Sequence, residues 1–107
     1  MESDNAIPLV REKYYAVYYT DPMAYYIGRI VNLYCTCHVL PSCHLSMIFL
    51  RKDYFTNKFF WPKSKHTYEC VPKQFVFEGH LELEGTGPFT VQNLSGIEKK
   101  FKNLKKN

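Results

Sequence analysis

The chain predicts an all-β fold, a small and strongly curved antiparallel barrel with a short C-terminal helix. Three aromatic-rich runs carry that expectation: Tyr14 to Tyr19, Tyr25 to Val31 and Met47 to Phe55. β-branched and aromatic residues suit a pleated, half-buried surface. Turn residues punctuate the runs, and the hydrophobic period changes from strand-like to helical only near the C-terminus. With 107 residues, 46% of them apolar and 22% charged, one folded domain with a modest core is expected. A core of that size cannot bury nine Tyr and eight Phe, so some rings are expected to line a surface site.

Residues 1–12 read as a polar lead-in, with Pro8 blocking an early helix. The acidic, polar first residues do not resemble a secretory signal, and no run is long enough for a membrane span. The expected barrel with its extensions spans 13–91, and a basic helix or tail spans 92–107. The first strand covers about 13–20 and the second about 24–34. They are joined by Thr20-Asp21-Pro22-Met23, where Asp before Pro favours a tight turn. In the second strand Tyr26, Gly28 and Ile30 face one way while Tyr25, Ile27 and Arg29 face the other. Gly28 within a strand marks sharp curvature or a close approach.

A longer connection, Cys35 to His44, leads to a third strand over about 45–52 and an aromatic turn at Asp53 to Lys58. Phe59 to Trp61 reads as a short strand stopped by Pro62, and Tyr68 to Phe77 as another broken by Pro72. His80 to Glu84 alternates, and Gly85-Thr86-Gly87-Pro88 is a turn. Leu94, Ile97, Phe101 and Leu104 then form one helical stripe that should dock on the barrel. Ser95-Gly96-Ile97-Glu98 has the form of a capping box.

The net charge of +4 is unevenly placed. Five of the fourteen basic residues fall in 99–107 with no acid, leaving nine against ten acids elsewhere. Arg51 to Lys73 is locally basic and Glu78 to Glu98 acidic. Basic tails of this kind suit phosphate backbones or acidic partners, and equally suit solubility alone.

Four chemistries follow from these patterns. Rings at strand ends beside a carboxylate (Tyr19, Tyr26, Phe49 and Tyr54, with Asp53) would form an aromatic cage for a methylated ammonium; the same rings also suit rim packing. Cys35, Cys37, Cys43 and His44 are dense enough for a structural zinc but lack a Cys-x-x-Cys pair. Reduced, unmetallated cysteines are therefore expected, and no cofactor. No phosphate loop, nucleophile elbow or spaced carboxylate pair is present, so no catalysis is expected. Basic residues interleaved with aromatics (Arg51, Lys52, Lys58 and Lys63, with Lys99 and Lys100 in the tail) offer an alternative nucleic-acid surface.

The pattern Val17-Tyr18-Tyr19-Thr20-Asp21, then Tyr25 to Val31, then Met47-Ile48-Phe49, resembles a Tudor domain and, more broadly, the SH3-like barrels of the chromatin-reading Royal family. The resemblance covers about residues 13–77. It implies that Tyr19 and Tyr26 are cage aromatics at the end of the first strand and the start of the second. Phe49 takes the position at the end of the third strand, and Tyr54 or Phe55 the next. It implies a nuclear reader of methylated Lys or Arg peptides from chromatin or RNP proteins, with weak DNA or RNA contact and no membrane. Such a module would be a monomer or part of a larger protein, and a degenerate cage would leave a plain interaction module. The Cys/His-bearing connection and the Pro-interrupted segment after Trp61 depart from the family pattern. A weaker similarity joins the short Tyr-x-Gly-Arg strand and aromatic-Pro step to accessory modules of transposon-derived proteins.

Overall fold

A computed structural model describes residues 7–35, 44–63 and 68–105. The elements are β1 (Tyr14–Thr20), β2 (Met23–Asn32), β3 (His44–Phe49), β4 (Arg51–Asp53), β5 (Lys58–Phe60), β6 (Glu69–Pro72), β7 (Val76–Leu81), β8 (Leu83–Glu84), β9 (Thr90–Val91) and α1 (Leu94–Lys105). A 3-10 turn, Lys73–Phe75, separates β6 from β7. The molecule is thus mostly antiparallel β-sheet with one short C-terminal helix. Among the described residues no helix is long and apolar enough to cross a membrane.

The strands form a five-stranded sheet in the order β6-β3-β2-β1-β7 and two small hairpins, β4-β5 and β8-β9. No described sheet closes on itself: the five-stranded sheet has its edges at β6 and β7. The expected pairings of the first three strands do form. Thr20 opposes Met23 across the two-residue connection Asp21-Pro22, and Tyr14 opposes Arg29. Gly28 opposes Phe49 and Ile30 opposes Met47. The third run does not continue as one strand. It breaks at Leu50, whose N–H donates to Ile27 O at 2.8 Å, and the chain leaves the main sheet as the β4-β5 hairpin.

Both faces of the sheet are packed. On one, Tyr15, Val17, Ile30, Leu45, Met47 and Val71 are buried together, with Ile7, Leu9 and Phe75 against them. On the other, Ala16, Ile27, Leu50, Phe59, Leu81, Val91 and Ile97 bring the hairpins and helix onto the sheet. The alternation read from β2 is what divides its residues between these two cores.

Part of the expected lead-in is structural. The Tyr15 hydroxyl donates to Pro8 O at 2.7 Å and accepts from Val10 N–H at 2.8 Å. Glu12 N–H reaches Ile30 O at 2.8 Å. Residues 7–13 therefore cover the first core instead of trailing from it; residues 1–6 lie outside the described residues.

The helical stripe docks as expected, with Ile97 buried and Phe101 packed on Tyr25 at a ring separation of 5.2 Å. The capping box does not form. Helix α1 begins at Leu94, one residue before the expected cap, and Glu98 turns its carboxylate to Tyr25 and Lys52. A half-buried phenol and a lysine offer it a better-shielded partnership than the backbone of an exposed helix end.

Candidate functional site

Strand geometry brings three of the rings singled out above into one row. Tyr19 opposes Ala24 and Tyr26 opposes Val17, so the two tyrosines are diagonal neighbours on one face. Their ring centroids are 5.8 Å apart at 62°. Phe49 follows at 5.8 Å from Tyr26, tilted by 57°. Phe75, from the turn after β6, meets Tyr19 edge-on at 5.7 Å.

Gly28 allows the third ring to lie there. A Cβ at this position would stand 2.7 Å from Phe49 Cδ1 and 2.9 Å from Ile48 O. The close approach expected at Gly28 is thus the Phe49 ring lying across a bare stretch of backbone.

The row of rings forms one wall of a groove of about 500 Å³ lined by Tyr19, Asp21, Pro22, Tyr26, Phe49, Glu69 and Cys70. Two carboxylates and no basic side chain occur among these residues. Tyr26 remains 41% exposed, so its ring is presented to solvent rather than consumed by packing. Burial, the nearby Glu69 charge and Tyr26 together raise the Tyr19 phenol above its ordinary value of 10.0. Tyr19 therefore stays neutral at physiological pH. Ring faces carry partial negative charge and the carboxylates add full charges, an arrangement suited to an organic cation.

Asp53 and Tyr54 are not among the residues that line this groove, and Tyr54 instead shares with Tyr26 a second groove of about 460 Å³, lined also by Tyr25, Leu50, Lys52 and Phe59. Asp53 accepts from Phe55 N–H at 3.0 Å and its own carbonyl accepts from Asn57 N–H, so it closes the β4-β5 turn. Tyr54 and Phe55 stand at that turn's tip, 80% and 99% exposed. The break at Leu50 places all three on the β4-β5 hairpin instead of at the end of β3. Glu69 and Asp21 are the acids of the groove, and neither was singled out. Glu69 is 20 residues beyond Phe49 in sequence, and only the β3-β6 pairing, in which Met47 opposes Glu69, sets it beside the rings.

Tyr54 belongs to a second aromatic group, already filled by the protein's own cation. Lys52 Nζ lies 5.0 Å from the Tyr54 ring centroid, 5.9 Å from Tyr25 and 6.0 Å from Phe59. It pairs with Glu98 at 3.4 Å, and its side chain is only 14% exposed. Lys52 is therefore a structural tie between the β4-β5 hairpin, the sheet and α1. Of the other cations read as a nucleic-acid surface, Arg51, Lys58, Lys63 and Lys99 are exposed, and Lys100 pairs with Glu78.

The cysteines depart from expectation. Cys35 and Cys70 are joined by a disulfide with Cα atoms 6.0 Å apart. The expectation of four reduced cysteines is thus corrected, because β6 folds back beside β3 and brings two distant thiols together. Cys35 is then no thiolate ligand for the zinc set proposed with Cys37, Cys43 and His44. Cys37 and Cys43 lie outside the described residues. Among the described residues no group of three or more His, Cys, Asp or Glu is placed to hold a metal ion.

No protein-family model, no curated protein and no solved structure matches this chain.

Proposed function

We propose that the protein is a non-catalytic, Tudor-like recognition module that takes a cationic peptide side chain, a methylated lysine or arginine, into the Tyr19–Tyr26–Phe49 groove. The observation that supports this reading most is a row of three rings, with Tyr26 in contact with both Tyr19 and Phe49, beside Glu69 and Asp21 in a groove with no basic side chain among its described lining residues. A methylated ammonium is weakly hydrated and rests against ring faces, while the carboxylates compensate its charge. The SH3-like barrel is proposed in the same sense: β1, β2 and β3 keep the order that places cage aromatics on adjacent strand ends. Disulfides persist in oxidising surroundings, so the reading does not carry a nuclear setting with it.

The test is an amide-shift titration with unmodified, mono-, di- and trimethylated lysine peptides, methylated arginine peptides and a short oligonucleotide. Shifts centred on Tyr19, Tyr26, Phe49 and Glu69 are expected with the methylated peptides. Because Tyr26 is 41% exposed, Tyr26→Ala should leave the fold intact and weaken binding by roughly tenfold, the worth of one partly desolvated ring. Unchanged affinity in that variant, or shifts confined to the lysines of α1 with the oligonucleotide alone, would refute the reading.

A further inference from the structure

The groove and the disulfide share a strand. β6 is an edge strand of four residues, and β3 is its one ladder partner among the described residues. Glu69 is its first residue and Cys70 its second, and both line the groove. Strand alternation turns their side chains to opposite faces. Glu69 therefore stands on the face of Met47 and Phe49, while the next residue, Cys70, carries the bond to Cys35. Cys35 lies three residues beyond the end of β2, the strand that carries Tyr26 and Gly28. The disulfide thus connects the strand bearing Glu69 to the exit of the strand bearing the groove's central ring, across β3.

We propose that the Cys35–Cys70 disulfide gates the groove: oxidised, it holds Glu69 against the rings, and reduced, it releases Glu69 and weakens cation binding. This rests on the cation-binding reading above and adds its regulation. The step is a thiol–disulfide exchange with a dithiol reductant. Two electrons and two protons convert the S–S bond to two thiols, and the reductant closes into its own disulfide. Once the bond is gone, Glu69 sits at the end of a four-pair edge strand, its own pairing with Met47 being the last, and strand ends open most readily. The ring row is held differently. Tyr19, Tyr26 and Phe49 belong to the β1-β2-β3 ladders, which the bond does not cross-link into register. Reduction should therefore withdraw Glu69 and spare the rings and Asp21.

Two measurements test the coupling, one without a ligand. In the oxidised protein, the Glu69 charge helps raise the Tyr19 phenol. Followed by NMR, Tyr19 should titrate at lower pH in the Cys35→Ser/Cys70→Ser protein and in Glu69→Gln, with the two effects not adding. In the second, tetramethylammonium and a trimethyllysine peptide are titrated into oxidised protein, dithiol-reduced protein and the double serine variant. Preserved amide shifts over residues 14–31 serve as the control for folding. Affinity should fall roughly fivefold on reduction, the worth of one exposed ion pair. Oxidised Glu69→Gln should already bind at the reduced level and show no further redox dependence. An unchanged Tyr19 titration, equal affinity in both redox states, or a full redox effect persisting in Glu69→Gln would overturn the gate. Absence of cation binding by the oxidised protein would instead remove the binding reading, with the Tyr19 titration still deciding whether the disulfide positions Glu69.

Discussion

Replacing Gly28 with alanine separates two ways in which one methyl group can disturb this protein. The new Cβ would stand 2.7 Å from Phe49 Cδ1, 3.0 Å from Phe49 Cε1 and 2.9 Å from Ile48 O. Ordinary carbon–carbon contact is about 3.5–4.0 Å, so the ring must retreat by roughly 1 Å. The carbonyl has less freedom, because Ile48 opposes Arg29 in the β2-β3 ladder. Overpacking of this kind costs about 1–3 kcal/mol, and about 2 kcal/mol is expected here. The contribution of the ring is isolated by repeating the change in a Phe49→Ala background, where only the Ile48 O contact remains; about 1 kcal/mol or less is then expected. Urea unfolding reads both values as midpoint shifts at constant slope. Gly28→Ala should also weaken trimethyllysine binding by roughly tenfold, although Gly28 has no side chain to offer a ligand, because the displaced ring is a wall of the groove. Equal costs in the two backgrounds, within the ~0.3–0.5 kcal/mol at which independent sites add, would refute the argument that Gly28 exists to seat Phe49.

Two further outcomes follow from the same geometry. Burial and the Glu98 hydrogen bond raise the Tyr25 phenol above its ordinary value of 10.0. Its stabilising contribution is therefore complete below pH 10 and is lost as the pH climbs above it, since the unfolded phenol ionises first. Wild type should lose unfolding free energy more steeply than Tyr25→Phe above pH 10, and parallel profiles would show that Tyr25 does not couple to folding. The Cys35→Ser/Cys70→Ser protein should be less stable by about 3–4 kcal/mol, the loop entropy for a sequence separation of 35. A loss below about 1 kcal/mol in urea unfolding would mean that the unfolded chain is already compact around this loop.

The strand runs, the Asp21-Pro22 connection, the divided faces of β2 and the apolar stripe of α1 are local patterns, and local patterns are what a sequence states directly. Side-chain period and turn chemistry act over a few residues, so the meeting of Tyr19, Tyr26 and Phe49 was legible once three adjacent antiparallel strands were assumed. The break at Leu50 was not, because the apolar run Met47 to Leu50 passes into Arg51-Lys52-Asp53 without a turn residue to mark the exit. That break decides the fate of Asp53, Tyr54 and Lys52. It sends Asp53 into a turn and surrounds Lys52 with Tyr25, Tyr54, Phe59 and Glu98, residues spread over most of the chain. Likewise, four cysteines permit several pairings, and spacing alone does not choose among them. The return of β6 to the edge beside β3 sets Cys70 against Cys35 and Glu69 beside the rings. The sequence by itself determined the strands, their faces and which aromatics could meet. Only the tertiary structure decided which charges join them, because a charge finds its place through contacts distant in sequence that no local period encodes.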